Sequence, residues 1–125
     1  MSFRSTLALH LQAIQQRDLE TYVSTLTTNP ELTLIFPKGN TITARDEVIA
    51  FTTDWFSDPD WRMDAREVRV VEGSNMAFAL YDVTYNDLGP TGQPYQLQYF
   101  LNLIFALEAG EWKLIHDQNT LTRQA

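Results

Sequence analysis

Apolar residues near the N-terminus recur at every third or fourth position. Phe3, Leu7 and Ile14 follow this spacing, which predicts a helix over residues 2–16 with one face packed on a core. Asp18 is placed to cap a second, short helix that directly follows the first. The two segments therefore predict a helical hairpin at the start of the chain.

Two short strands and a third helix are expected next. The segments ELTLIF and NTIT read as strands, and the turn PKGN separates them. Thr43 and Asp46 resemble a capping box, which would open a third helix that continues to about Phe56.

The second half of the chain has a different pattern. From residue 61 to residue 122, strand-length runs are separated by the turn-forming segments EGSN, GPTGQP and EAGE. This spacing predicts an antiparallel meander of four long strands. With the preceding helices it predicts one α+β domain over residues 1–125, in which three helices cover one face of a curved, mostly antiparallel sheet.

One strand of the meander, YQLQYFLNLIFAL, is apolar on both faces, since successive side chains point to opposite sides of a sheet. One face carries Leu97, Tyr99, Leu101, Leu103, Phe105 and Leu107, and the other carries Gln98, Phe100, Asn102, Ile104 and Ala106. Three helices can cover only one face, so a second copy of the chain is the simplest cover for the other. We therefore expect a homodimer that forms through the outer face of the sheet.

The choice between the two faces depends on side-chain size. Ala77 and Ala79 are small, and Asn102 brings an isolated amide, so a face shared by these residues would hold an apolar pocket with a hydrogen-bonding group. Tyr81 follows the same alternation. We therefore expect Asn102 to point into the pocket and Leu101 to point toward the second subunit.

Charge and composition limit the kinds of molecule that the protein is expected to bind. The formal charge of −7 and the lack of a Lys or Arg cluster argue against nucleic acid and anionic membrane surfaces. No apolar run approaches the roughly 20 residues of a membrane span, and the N-terminus lacks a signal-peptide pattern, so a cytoplasmic location is expected. Cysteine is absent and the two histidines lack metal-ligand spacing, so no metal or cofactor is expected.

The chain resembles the nuclear-transport-factor-2-like superfamily in five features. These are the helical hairpin, the turn IFPKG, the helix start ARDEVIAF, the four-strand meander and the ending WKLIHDQNT. The most similar branch contains the SnoaL-like and ketosteroid-isomerase-like proteins. The resemblance implies a cone-shaped, cystatin-like roll, with a mostly apolar ligand pocket between helices and sheet and usually a homodimer. It also implies that Ile115, Asp117 and Asn119 face the pocket, whereas His116 faces away from it.

The same resemblance argues against steroid isomerisation. Phe36 falls where the isomerases have their aspartate general base, and Asn102 falls where they have the protonated aspartic acid of the oxyanion hole. His10 falls near their oxyanion-hole tyrosine. An isomerase of that type needs a carboxylate to move the proton and acidic donors to hold the enolate, so the substitutions remove its chemistry.

Asp117 is the best candidate for a general base, because burial among apolar side chains should raise the pKa of its carboxyl. His10 on the first helix is the candidate partner of Asp117. Each residue also has a purely structural interpretation. Asp117 would then be a carboxylate at the pocket rim that is hydrogen-bonded by Asn119 or a backbone amide, and His10 would be a core histidine. The candidate ligand-binding residues are Tyr81, Asn102, Asn119, Trp55, Tyr22, Phe36, Phe100 and Ile115.

Three functions are consistent with these features. The first is a pocket protein that binds a small, largely apolar organic molecule. The second is an acid-base enzyme of isomerase, cyclase, dehydratase or hydrolase type that uses Asp117 with His10. The third is an association module, whose pocket would be small or filled by side chains.

Overall fold

The computed structural model describes all 125 residues. The helices are α1 (Phe3–Gln16), α2 (Leu19–Ser24) and α3 (Arg45–Phe56), and the strands are β1 (Glu31–Ile35), β2 (Thr41–Ala44), β3 (Arg62–Glu72), β4 (Met76–Leu88), β5 (Pro94–Glu108) and β6 (Glu111–Gln124). The predicted α+β architecture is confirmed, including the helical hairpin and the four-strand meander.

Two of the three helices begin with a side chain that caps the backbone. The Ser2 side chain accepts a hydrogen bond from the Ser5 N–H at the start of α1, and Asp18 caps α2 as predicted. The capping box predicted for α3 is wrong, because Ala44 occupies the N-cap position and no side chain bonds there. Asp46 instead lies in the first turn of α3, where its charge suits the positive end of the helix dipole.

All six strands form one sheet in the order β2-β1-β6-β5-β4-β3. Neighbouring strands are antiparallel except β1 and β6, which are parallel. This central position of β6 places Asp117 directly beside Leu34 of β1 and Leu103 of β5.

The strand register shows which side chains share a face. Ala79, Leu103 and Asp117 lie side by side on the face that the helices cover, which we call the inner face. Leu80 and Asn102 are paired on the opposite, outer face. The predicted inward direction of Ala77, Ala79 and Tyr81 is therefore correct for β4.

For β5 the predicted choice of face is wrong. Leu101 is 3% exposed and lies on the inner face, whereas Phe100 is 40% exposed on the outer face. An isolated amide on a strand therefore does not by itself mark the pocket face. The larger apolar set, from Leu97 to Phe105, packs under the helices because it removes more apolar surface from water.

The expected alternation along β6 is interrupted by a bulge. Phe105 pairs with Leu114 while Ile104 pairs with His116, so Ile115 is an extra residue without a partner. Trp112, Leu114 and Asp117 consequently all face inward, although strict alternation would separate them. Ile115 lies in the bulge, so its predicted place beside Asp117 on the pocket face is wrong.

Candidate functional site

A cavity of about 310 Å³ lies between the three helices and the inner face of the sheet. Twelve of its sixteen lining residues are hydrophobic, which is typical of a site for a small organic molecule. The lining residues are Ile14, Tyr22, Leu34, Phe36, Pro37, Phe51, Thr52, Trp55, Met63, Tyr85, Tyr95, Leu97, Tyr99, Leu101, Asp117 and Asn119.

The cavity brings together five of the ten residues singled out in the sequence. These are Asp117, Asn119, Tyr22, Trp55 and Phe36. They come from three different elements and the β1–β2 turn, so no local sequence motif connects them.

Asp117 is the single carboxylate on the cavity wall. Its Oδ1 accepts a hydrogen bond of 2.9 Å from the side-chain Nδ2 of Asn119, and its Oδ2 accepts none. Burial raises the pKa of Asp117 to about 7, against the opposing effect of the Asn119 hydrogen bond. The carboxyl therefore exchanges its proton near neutral pH.

Asn119 holds Asp117 in place rather than pointing a free donor at a ligand. Its Nδ2 donates to the backbone oxygen of Ile35 at 2.9 Å and to Asp117 at the same distance. Two phenols also lie near Asp117. Burial, and then the negative charge of Asp117, raise the pKa of both Tyr22 and Tyr99.

His10 is completely buried but does not line the cavity. The Thr25 hydroxyl donates to the backbone oxygen of Tyr22, so it accepts from His10 Nδ1 at 2.7 Å, and Nε2 is left without a partner. Burial lowers the pKa of His10 to about 4. The Tyr22 ring packs on the imidazole with centroids 5.0 Å apart, and no hydrogen bond joins His10 to Asp117. The predicted pair of Asp117 and His10 is therefore not formed.

Four more of the predicted ligand-binding residues lie outside the cavity. Asn102 and Phe100 are on the outer face, and Ile115 is in the bulge of β6. Tyr81 is on the inner face but is packed away from the cavity, close enough to Glu67 for that charge to act on its phenol. The inward residues that flank Asn102 on β5 are Leu101 and Leu103, so no acidic donor faces the cavity at this point of the strand.

A chain of hydrogen bonds that the sequence did not reveal begins at the cavity wall. Trp55 Nε1 donates to the Tyr85 hydroxyl at 3.0 Å, and that hydroxyl donates to Asp87 Oδ2 at 2.9 Å. Trp61 stacks on Trp55 with centroids 4.4 Å apart, and the Arg17 guanidinium lies 3.8 Å above the Trp61 ring. The Trp55 ring is therefore held by a hydrogen bond at its edge and by stacking on one face.

Several lining residues were missed, and alternation alone could have found some of them. Tyr85 continues the series of Ala77, Ala79 and Tyr81 along β4, and Tyr99 belongs to the inward set of β5. No local signal identifies Thr52, because its place depends on how α3 packs against the sheet. No group of three or more His, Cys, Asp or Glu side chains is arranged to hold a metal ion. None of the helices has the length and apolar character needed to cross a bilayer.

Comparison with protein families identifies the chain. A family model described as the SnoaL-like domain matches residues 4–121. The chain therefore belongs to the SnoaL-like domain family, which confirms the resemblance seen in the sequence. A search of curated proteins found no match.

Solved structures agree with this assignment. A ketosteroid isomerase-like protein from Erwinia carotovora atroseptica has a TM-score of 0.78 at 17% identity, with 96% of this chain and 93% of that chain covered. A protein with a cystatin-like fold from Caulobacter vibrioides has a TM-score of 0.79 at 16% identity, covering 96% and 87%. The association domain of C. elegans CaMKII has a TM-score of 0.66 at 23% identity, covering 94% and 90%. At these identities the likeness shows the fold alone.

Proposed function

We propose that the cavity is a binding site for a small, largely apolar organic molecule, with Asp117 as its polar contact. The main support is the combination of an apolar cavity of about 310 Å³ and one buried carboxylate on its wall. Such a site supplies apolar area for affinity and one polar group for orientation. An association module with a filled interior would not need this space.

A blocked-cavity variant tests the proposal. Leu97 lines the cavity where it meets the outer groove that Lys38 also lines, so Leu97→Trp should fill the entrance. Leu107→Trp is the matched control, because Leu107 is on the same strand but does not line the cavity. Both variants would be screened beside wild type by thermal shift and native mass spectrometry, against small apolar acids, amines, ketones, polyketide-like aromatics and steroids.

We expect at least one compound class to stabilise wild type and Leu107→Trp, but not Leu97→Trp. If no compound binds, or if every compound that binds wild type binds Leu97→Trp equally well, the cavity is not the binding site.

An acid-base enzyme is the second candidate, and one observation favours it. A carboxyl with a pKa of about 7 can both accept and donate a proton at neutral pH, as a general acid or base must. Asp117 would act without His10, which is separated from the cavity. Isomerase, cyclase, dehydratase and hydrolase reactions are all compatible with one such group. A compound that wild type transforms and Asp117→Asn binds unchanged would make the protein an enzyme.

Steroid isomerisation of the ketosteroid type is not supported. Phe36 lines the cavity at the position that the resemblance assigns to the general base. Leu101 and Leu103 provide no acidic donor from β5. The reaction would therefore lack its general base and one of the acidic donors that hold the enolate.

We also infer a homodimer that forms through the outer face. Met76, Val71 and Phe100 are 49%, 38% and 40% exposed, and this exposed apolar surface is typical of a contact with another subunit. Phe100→Glu should convert a dimer into a monomer of 14.4 kDa, as measured by light scattering. Gln12→Glu on exposed α1 is the control with the same added charge. A wild type that is monomeric, or a Phe100→Glu variant that stays dimeric, would contradict this interface.

A further inference from the structure

Four of the seven lining residues that carry a side-chain hydrogen-bond donor already use it within the protein. Both N–H groups of the Asn119 amide donate to protein oxygens, and the Trp55 indole donates to Tyr85. The Tyr85 hydroxyl in turn donates to Asp87, and the Thr52 hydroxyl donates to the backbone of its own helix. The neutral phenols of Tyr22, Tyr95 and Tyr99 are the donors left for a ligand, and no Lys or Arg lines the cavity to balance the charge of an anion.

The groups in the cavity that suit a cation are one charged acceptor and several aromatic faces. Asp117 Oδ2 accepts no hydrogen bond within the protein. Seven of the sixteen lining residues are aromatic, including Tyr22, Trp55 and Tyr99 around the cavity wall. Aromatic faces attract cations, and a carboxylate offers a charged acceptor for an N–H donor. Asp87, which is hydrogen-bonded to Tyr85 of the cavity wall, and the net charge of −7 add to the attraction of positive charge.

We propose that the cavity ligand is an organic amine that binds as an ammonium ion, with its N–H groups donated to Asp117 and its apolar part among the aromatic rings. This inference depends on the proposed binding function, and it names the chemical class of the molecule. The nearest basic side chain at the entrance is Lys38, which is exposed in the adjoining groove and does not line the cavity.

A single group controls the pH dependence of such binding. Tyr22 on α2 and Tyr99 on β5 face Asp117, and burial raises the pKa of each phenol, so both stay neutral. His10 on α1 lies behind Tyr22 and is neutral above a pH of about 4, because burial lowers its pKa to that value. Leu34 of β1 and Thr52 of α3 do not titrate. The affinity for an ammonium ion should therefore follow the ionisation of Asp117 alone.

The expected pH dependence has a clear sign. The ammonium ion pairs with the carboxylate and not with the carboxylic acid, so its affinity rises as pH increases through about 7. A ligand that accepts a hydrogen bond from protonated Asp117, such as a ketone, has the opposite dependence. If only the carboxylate form binds, the gain between pH 5.5 and pH 8 is roughly 30-fold for a pKa of about 7.

Three indole compounds of similar size test the inference. Tryptamine carries an ammonium group, tryptophol a hydroxyl and indole-3-acetate a carboxylate, and each is titrated by calorimetry at pH 5.5 and pH 8. We expect tryptamine to bind at least about tenfold more tightly than tryptophol at pH 8, as a charge-assisted hydrogen bond would give. Indole-3-acetate should bind most weakly.

Two variants separate the pocket from general charge attraction. Asp117→Asn should reduce the preference for tryptamine over tryptophol to near unity, while tryptophol binding changes little. Glu20→Gln removes the same charge from the exposed surface of α2 and should leave the preference unchanged. A preference that survives Asp117→Asn, or one that Glu20→Gln removes equally, would overturn the proposed contact.

The outcomes distinguish this inference from the proposed function. If tryptophol or indole-3-acetate binds as tightly as tryptamine at pH 8, and Leu97→Trp blocks that binding, the cavity is a ligand site but not an amine site. If the indoles and all screened compounds fail to bind, the proposed function fails with it.

Discussion

Replacing Asp117 with Asn should make the protein more stable at neutral and alkaline pH. Burial raises the pKa of Asp117 from an ordinary 3.8 to about 7 in the folded chain. Between these two pH values the folded state holds one proton more than the unfolded state, so the free energy of unfolding falls as pH rises. Each pH unit contributes about 1.36 kcal/mol, which gives about 4 kcal/mol in total as an upper limit.

The amide of Asn has no charge to desolvate, and its oxygen can still accept the hydrogen bond from Asn119. The stability difference between Asp117→Asn and wild type should therefore be small near pH 4, grow up to about pH 7 and stay constant above it. Wild-type protein gives up this stability to keep an ionisable group in the cavity, as functional sites often do.

Urea denaturation followed by circular dichroism at pH 4.5, 6 and 8 measures the difference directly. Glu20→Gln serves as the control for loss of a surface charge, and its effect should be within about 0.5 kcal/mol at every pH. A difference between Asp117→Asn and wild type that does not change with pH would refute the idea that Asp117 is desolvated. So would a variant less stable than wild type at pH 8.

Two further predictions follow from the buried residues. Burial lowers the pKa of His10 from 6.5 in the unfolded chain to about 4 in the folded chain, so the free energy of unfolding should fall by about 3 kcal/mol as pH falls from 6.5 to 4. His10→Gln should not show this loss in acid denaturation. An acid transition equal to that of wild type would contradict the prediction. Leu103→Ala should lower the free energy of unfolding by about 2–5 kcal/mol, because Leu103 is fully buried on the inner face. Leu107→Ala, on the same face but 39% exposed, should lower it clearly less in the same urea experiment, and equal losses would contradict the assigned burial along β5.

Element type and order could be predicted from the sequence because they depend on local pattern. The helical spacing of Phe3, Leu7 and Ile14 identifies α1, and turn segments such as EGSN and EAGE separate the long strands. Asp18 signals the start of α2 through the hydrogen bond that its side chain accepts from the backbone. These signals act over a few residues, so no tertiary information is needed.

Faces and register were harder to predict because they depend on other strands. Phe100 and Leu101 are both apolar, so alternation along β5 does not say which of them meets the helices. The register with β4, which aligns Leu101 with Tyr81, decides it. In β6 the bulge at Ile115 has no local signal, and it reverses the face of Trp112 and Leu114 relative to simple alternation.

The candidate site could be predicted only in part, because it too depends on the faces of the strands and on packing between elements. Asp117 and Asn119 are two residues apart on one strand, so one correct choice of face placed both in the cavity. His10 was correctly expected to be buried, but its distance from Asp117 depends on how Tyr22 of α2 packs against it. The hydrogen bond between Trp55 and Tyr85 on the cavity wall joins α3 to β4, and this contact cannot be predicted without the fold.

An NMR titration of the Asp117 side-chain carboxyl is the most direct test of the account, which places a desolvated carboxyl on the wall of an apolar ligand cavity. Protein labelled with ¹³C at aspartate carboxyls, with Asp117→Asn to assign the signal, would be titrated between pH 3 and pH 9. The account predicts a midpoint near 7, because burial disfavours the charged form. A midpoint near the ordinary 3.8 would show that water solvates the group, and would contradict its proposed role as the polar contact of a buried ligand.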